Sequence, residues 1–134
     1  MKVVFADSFY FFALANPNDA AHARAVAFTR TYTGLLTTTG WVLTEVADGW
    51  AKPIQRRPFF ASLVADLKSN TSARVEPSTD ELLQEGMDLY AQRQDKEWSL
   101  TDCISFIVMR KHAILEALTG DRHFEQAGFV ALLK

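Results

Sequence analysis

Cysteine occurs once in the 134 residues, at Cys103, which excludes an internal disulfide and suits a reducing compartment. Histidine occurs three times, at His22, His112 and His123, never closer than eleven positions. With no cysteine pair beside them, nothing resembles a zinc motif. No apolar run approaches the ~18 residues needed to span a membrane. A Gly-x-Ser-x-Gly elbow is missing, so the chain does not read as a serine hydrolase. Charge of one sign is also lacking: 14 Lys and Arg against 16 Asp and Glu give a net charge of −2. That balance exerts no global pull on nucleic acid, so any such contact must rest on a local basic patch.

What is present describes one globular domain over residues 1–134, 49% hydrophobic and 22% charged. Lys2, the apolar residues after it and Ala13-Leu14-Ala15 mimic a secretion signal, but Asp7, Ser8 and Asn16 interrupt it. A cytoplasmic protein is expected. The Val- and Phe-rich stretch Lys2 to Ala6 reads as a short buried strand, followed by a helix from Phe9 to Ala15. Further helices are expected over Ala20 to Thr31, Trp41 to Ala51, Phe59 to Lys68, Asp80 to Arg93 and Leu100 to His112. Strands are expected at Leu35 to Thr38, Ala73 to Glu76 and Ile114 to Thr119, with a turn at His123 to Ala127 and an edge strand at Phe129 to Ala131. Strands alternating with helices imply an α/β/α sandwich around a mainly parallel sheet of four or five strands.

The acids carry the chemistry. Asp7 closes the first strand, Asp102 opens the helix after Ser99, and Asp121 follows the run Ile114 to Thr119; Glu45 sits early in a helical segment. In a parallel sheet the first three fall on one rim, where ligands bind. Each has an ordinary alternative. Asp7 can cap a helix, Ser99-x-x-Asp102 resembles a capping box, Asp121 can be a turn residue, and Glu45 a solvated helix carboxylate. Independent caps would scatter over both ends of a sheet, whereas these gather at one. Carboxylates crowded together repel unless a cation neutralises them. Oxygen ligands favour Mg2+ or Mn2+ over zinc. The expected site therefore has Asp7, Asp102 and Asp121 on the metal and Glu45 completing the cradle. Its expected chemistry is phosphodiester hydrolysis by metal-activated water.

Around this set, Ser8 and Thr101 read as hydroxyls supporting the ligands. Lys52, Arg56 and Arg57 form the one compact basic cluster and, with Arg122, are candidates for RNA phosphates. Cys103 and Trp98 are expected in the packing; His123, following Asp121-Arg122, can lie near the site but reads as a surface residue rather than a catalytic base.

Four stretches carry a family likeness: Val-Phe-Ala-Asp-Ser, Thr44-Glu45-Val46, Ser-Leu-Thr-Asp-Cys-Ile-Ser-Phe and Leu-Thr-Gly-Asp-Arg-His-Phe-Glu-Gln-Ala-Gly-Phe. In order and spacing the chain resembles a PIN domain, particularly the VapC-like toxins of prokaryotic toxin–antitoxin pairs. The resemblance implies a magnesium- or manganese-dependent ribonuclease and matches Asp7, Glu45, Asp102 and Asp121 to the family's four acidic positions. It also implies homodimerisation and inhibition by an antitoxin protein. One departure is that Phe106 and Ile107 are bulkier than the small residues often found after the third acid. A non-catalytic PIN-like module that binds RNA or protein is the alternative. A phosphoacceptor domain fits less well, because a single acid follows the first strand.

Overall fold

The computed structural model describes residues 2–134. Among them, β1 (Val3–Ala6), β2 (Leu35–Thr39), β3 (Ala73–Glu76), β4 (Glu116–Leu118) and β5 (Val130–Ala131) form one sheet in the order β3-β2-β1-β4-β5. Every pairing is parallel. The chain steps outward from β1 to β2 to β3, then crosses back to β4 on the other side of β1. Right-handed crossovers place α1 (Ser8–Ala15), α2 (His22–Thr31), α3 (Gly40–Gly49) and α4 (Arg57–Ser69) on one face, and α5 (Asp80–Gln92) and α6 (Leu100–Lys111) on the other. The direction of travel reverses between β1 and β4, which makes the rim there the switch point of the sheet.

Burial explains the strand sequences. Val4 and Phe5 in β1 and Ala117 and Leu118 in β4 are wholly inaccessible, as expected of central strands covered on both faces. Phe106 is also fully buried. Its ring meets those of Trp98 and Phe124 edge-on, each at 5.0 Å between centroids, so the bulk at this position fills an aromatic cluster. Cys103 lies in the same core.

Four of the departures from the expected elements have a local cause or change an element's type or length. The helix expected from Phe59 begins at Arg57, preceded by a 3-10 turn over Ile54–Arg56, because Pro58 is tolerated in a first turn. The second helix starts at His22, after the Asx-type bond from the Ala21 amide to Asp19 Oδ1 delays it. The strand expected over Ile114 to Thr119 is confined to Glu116–Leu118. The expected turn at 123–127 is a short helix, α7 (Arg122–Gln126), with Asp121 as its N-cap.

Candidate active site

The register Phe5↔Ala117 and Ala6↔Leu118 carries Asp7 past the end of β1 to a position beside Thr119. Thr119 Oγ1 donates to Asp7 Oδ2 at 2.9 Å and accepts from the Asp121 amide at 3.1 Å, so one buried hydroxyl links two of the acids. Asp7 occupies the N-cap position of α1 but makes no side-chain cap bond, which leaves its carboxylate for other work. One helical residue on, Ser8 Oγ donates to Glu45 Oε1 at 2.9 Å, tying α1 to α3.

Asp102 comes from the other face of the sheet. The capping box is formed: the Asp102 amide donates to Ser99 Oγ at 3.0 Å, and the Ser99 amide to Asp102 Oδ2 at 3.2 Å. The same Oδ2 lies 3.0 Å from His123 Nδ1, whose distance to Asp121 Oδ2 is 3.5 Å. Asp121 Oδ1 accepts from the His123 amide at 2.9 Å. The expectation of a surface role for His123 is thus corrected: its side chain is only 20% exposed and bridges two carboxylates. A side chain three positions from the end of a one-turn helix has its direction set by the rim, which no periodicity reveals.

A common pattern emerges. Each acid has one oxygen engaged by a donor of the chain: Thr119 on Asp7, Ser8 on Glu45, Ser99 and His123 on Asp102, the His123 amide on Asp121. The second oxygen of Asp7, Glu45 and Asp102 is left over, while that of Asp121 faces His123 Nδ1 at 3.5 Å. Asp102, Asp121 and His123 offer ligand atoms that all lie within 4.8 Å of one another. That spacing suits a single divalent ion, and oxygen-rich donors suit a hard one; the group holds His123 where Asp7 was expected, and Asp7 lies outside it.

The electrostatics agree with the geometry. Burial raises Asp7 from 3.8 to about 7; the Thr119 bond opposes this, while Asp102 and Glu45 add to it. Burial also raises Glu45, against the Ser8 bond, with Asp102, Asp121 and Asp48 pushing the same way. Asp102 is raised by burial despite its bonds from Ser99 and His123, and Asp121 adds to the shift. Asp7, Glu45 and Asp102 therefore favour the neutral form until positive charge enters, and the Asp121 charge adds to the field on Glu45 and Asp102.

The remaining expected residues are placed as follows. Thr101 sits beside Asp102, and its carbonyl accepts from Ser105; among the described residues its hydroxyl has no recorded bond to an acid. Lys52, Arg56 and Arg57 are exposed, and Arg57 Nε donates to the Ala51 carbonyl at 3.2 Å. Arg56 lines a cleft of about 320 Å³ with Phe12 and Gly49, which lie one turn beyond Ser8 and Glu45 on α1 and α3. Arg122 is exposed next to Asp121. Sequence reasoning missed Thr119. The available signal was its place two residues before Asp121 at the end of a strand that neighbours β1.

Comparison with known proteins follows the same lines. No family model matches the chain. A 23S rRNA-specific endonuclease, VapC20 of Mycobacterium tuberculosis, is 31% identical over 129 residues, 96% of each chain. The chain belongs to the VapC family of PIN-domain toxins. The crystal structure of M. tuberculosis VapC20, described as a Sarcin-Ricin loop cleaving toxin, superposes with a TM-score of 0.83 at 30% identity, covering 95% of this chain and 96% of that one. FitAcB from Neisseria gonorrhoeae has a TM-score of 0.63 at 15% identity over 96% and 94% of the two chains, which speaks for the fold alone.

Proposed function

We propose that this VapC-family chain is a Mg2+- or Mn2+-dependent endoribonuclease, the toxin of a type II toxin–antitoxin pair. The observation that carries this reading is the cluster of Asp102, Asp121 and His123, whose ligand atoms lie within 4.8 Å of one another, with the Asp7 carboxylate tied to the Asp121 amide through Thr119. Asp7, Asp102 and Asp121 are the residues to hold the ion, with Glu45 completing the cradle. The ion, when bound, supplies an activated water and neutralises charge on the phosphoryl group. The chain's own part is orientation. Thr119 fixes the Asp7 carboxylate and the Asp121 backbone, Ser8 fixes Glu45, and the capping box fixes Asp102. Thr101, next to Asp102, adds a hydroxyl at the same rim. Because these groups are held before substrate arrives, little reorganisation is needed as charge develops.

RNA is the proposed substrate, with Lys52, Arg56, Arg57 and Arg122 as phosphate contacts. A homodimer, an antitoxin partner and a cytoplasmic location complete the proposal. No helix among the described residues is long and apolar enough to cross a membrane.

The test is RNA cleavage by protein freed of any bound inhibitor, with Mg2+ or Mn2+, with EDTA, and with Asp7→Asn and Asp102→Asn. Cleavage is expected with metal alone and is expected to fall at least a hundredfold in either variant. Wild-type rates in EDTA, or in both variants, would refute the reading. A protein that binds RNA and cuts none under any condition would instead be a binding module.

A further inference from the structure

Beside the acids lies a second, smaller cavity of about 270 Å³, lined by Asp95, Lys96, Glu97, Arg122, His123 and Gln126. It shares His123 with the acidic cluster: the ring that closes one side of the cavity has its Nδ1 3.0 Å from Asp102. The cavity therefore borders the rim on which the reaction is proposed to occur.

Its donors and acceptors are unevenly committed. Asp95 is already bound bidentately by Arg93, with Nε–Oδ1 at 3.0 Å and Nη2–Oδ2 at 3.1 Å, and Lys96 approaches it only to 3.9 Å. Arg93 also lies over the Trp98 ring at 4.8 Å, which fixes this loop. Trp98 Nε1 donates to Gln126 Oε1 at 2.9 Å, using the amide oxygen and leaving the NH2 group as the free end. Arg122 has no recorded ion-pair partner among the described residues. The groups left available are thus a guanidinium, an amide NH2 and the Lys96 ammonium, which makes only a long ion pair with Asp95. All are donors, two are cationic, and Glu97 is the one acid not already paired. A guanidinium fork with an ammonium beside it matches phosphate oxygens.

We propose that Lys96, Arg122 and Gln126 form a nucleotide subsite that holds the phosphate and ribose of the residue next to the scissile bond. The inference rests on the ribonuclease reading for its substrate class. It adds one flank of the acidic rim along which the RNA strand passes. His123 is the wall between the two sites and sets the distance from the held phosphate to the carboxylates.

The experiment is a titration of the isotopically labelled full chain in EDTA with a 2′-O-methyl RNA dinucleotide, and separately with inorganic phosphate, followed by backbone amide NMR. The dinucleotide is expected to shift amides of residues 95–97 and 122–126. Arg122→Ala and Lys96→Ala are each expected to weaken it by about tenfold, and Arg122→Lys to restore part of the loss. Inorganic phosphate is expected to shift the same amides at much higher concentration. Shifts confined to other surfaces, equal affinity for phosphate and dinucleotide, or unchanged affinity in both alanine variants would each overturn the subsite. Because binding is read without metal, the two readings separate. A chain that fills this cavity yet never cuts RNA keeps the subsite and loses the nuclease; one that cuts RNA while these amides stay still does the reverse.

Discussion

Thr119 is the residue that ties the Asp7 carboxylate to the Asp121 backbone. Its hydroxyl donates to Asp7 and accepts from the Asp121 amide, with no access to water. Thr119→Val keeps the shape but leaves both partners short of a hydrogen bond, at a cost of about 1–3 kcal/mol. Lower thermal stability is expected, with a weaker metal titration by calorimetry; Thr119→Ser should recover most of both. Asp7 gives a second residue-level expectation. Burial moves it from 3.8 to about 7, so its folded-state pKa lies above its unfolded one. Its protonation supports the metal-free fold fully below about pH 4, and that support is lost as pH rises through 7. Metal needs the ionised form, so a proton competes with it. Mn2+ affinity is expected to be about tenfold weaker at pH 6 than at pH 8. Mn2+ should also raise the melting temperature more at pH 8 than at pH 6. Calorimetry and thermal scans at the two pH values check this, and a flat affinity profile would contradict it.

At the scale of elements, the site is a meeting of separate segments: the end of β1, the start of α6, the second turn of α3 and the cap of α7. The pairing of α5 with α6 holds one of them in place. Gly86 is buried in α5, and a Cβ there would lie 2.3 Å from Ile104 Cγ1 and 3.5 Å from the Ile104 backbone. Ile104 is itself fully buried and has no room to yield. Gly86→Ala is therefore expected to destabilise the protein by about 1–3 kcal/mol in denaturant unfolding, despite the better helix propensity of alanine. Much at this scale was legible beforehand. Val3 to Ala6 announces a buried strand by composition, and Ser99-x-x-Asp102 announces a helix start by its capping box. Boundaries were less legible where local and tertiary preferences compete. Arg56 and Arg57 look like a loop between prolines, yet Pro58 falls in the first turn of α4. The part played by His123 was hidden for a different reason. Its distance to Asp102 is set by how α7 docks on α6, and a five-residue helix has too few turns to show which way it faces.

The whole molecule carries a net charge of −2, so it cannot attract a polyanion by its overall field. Its four candidate ligands also repel phosphate until an ion is present. RNA binding by such a protein must come from a few cations placed around an acidic centre. Their positions fit that need. Arg56 lies in a cleft one turn beyond the Ser8–Glu45 pair, and Arg122 stands next to Asp121 on the other flank. A strand crossing the rim would meet cations on both sides of the carboxylates. Each phosphate contact contributes about 0.7 to the slope of log affinity against log salt for single-stranded RNA. Arg56→Ala with Arg57→Ala is therefore expected to lower that slope by about 0.7 to 1.4 and to weaken binding at low salt more than at high salt. Fluorescence anisotropy with a labelled oligonucleotide over a range of potassium chloride concentrations, at fixed Ca2+, would measure it. A slope equal to that of the parent protein would return Arg56 and Arg57 to the status of solvated loop residues. The strand would then have to rely on Lys52 and on Arg122 with its neighbours.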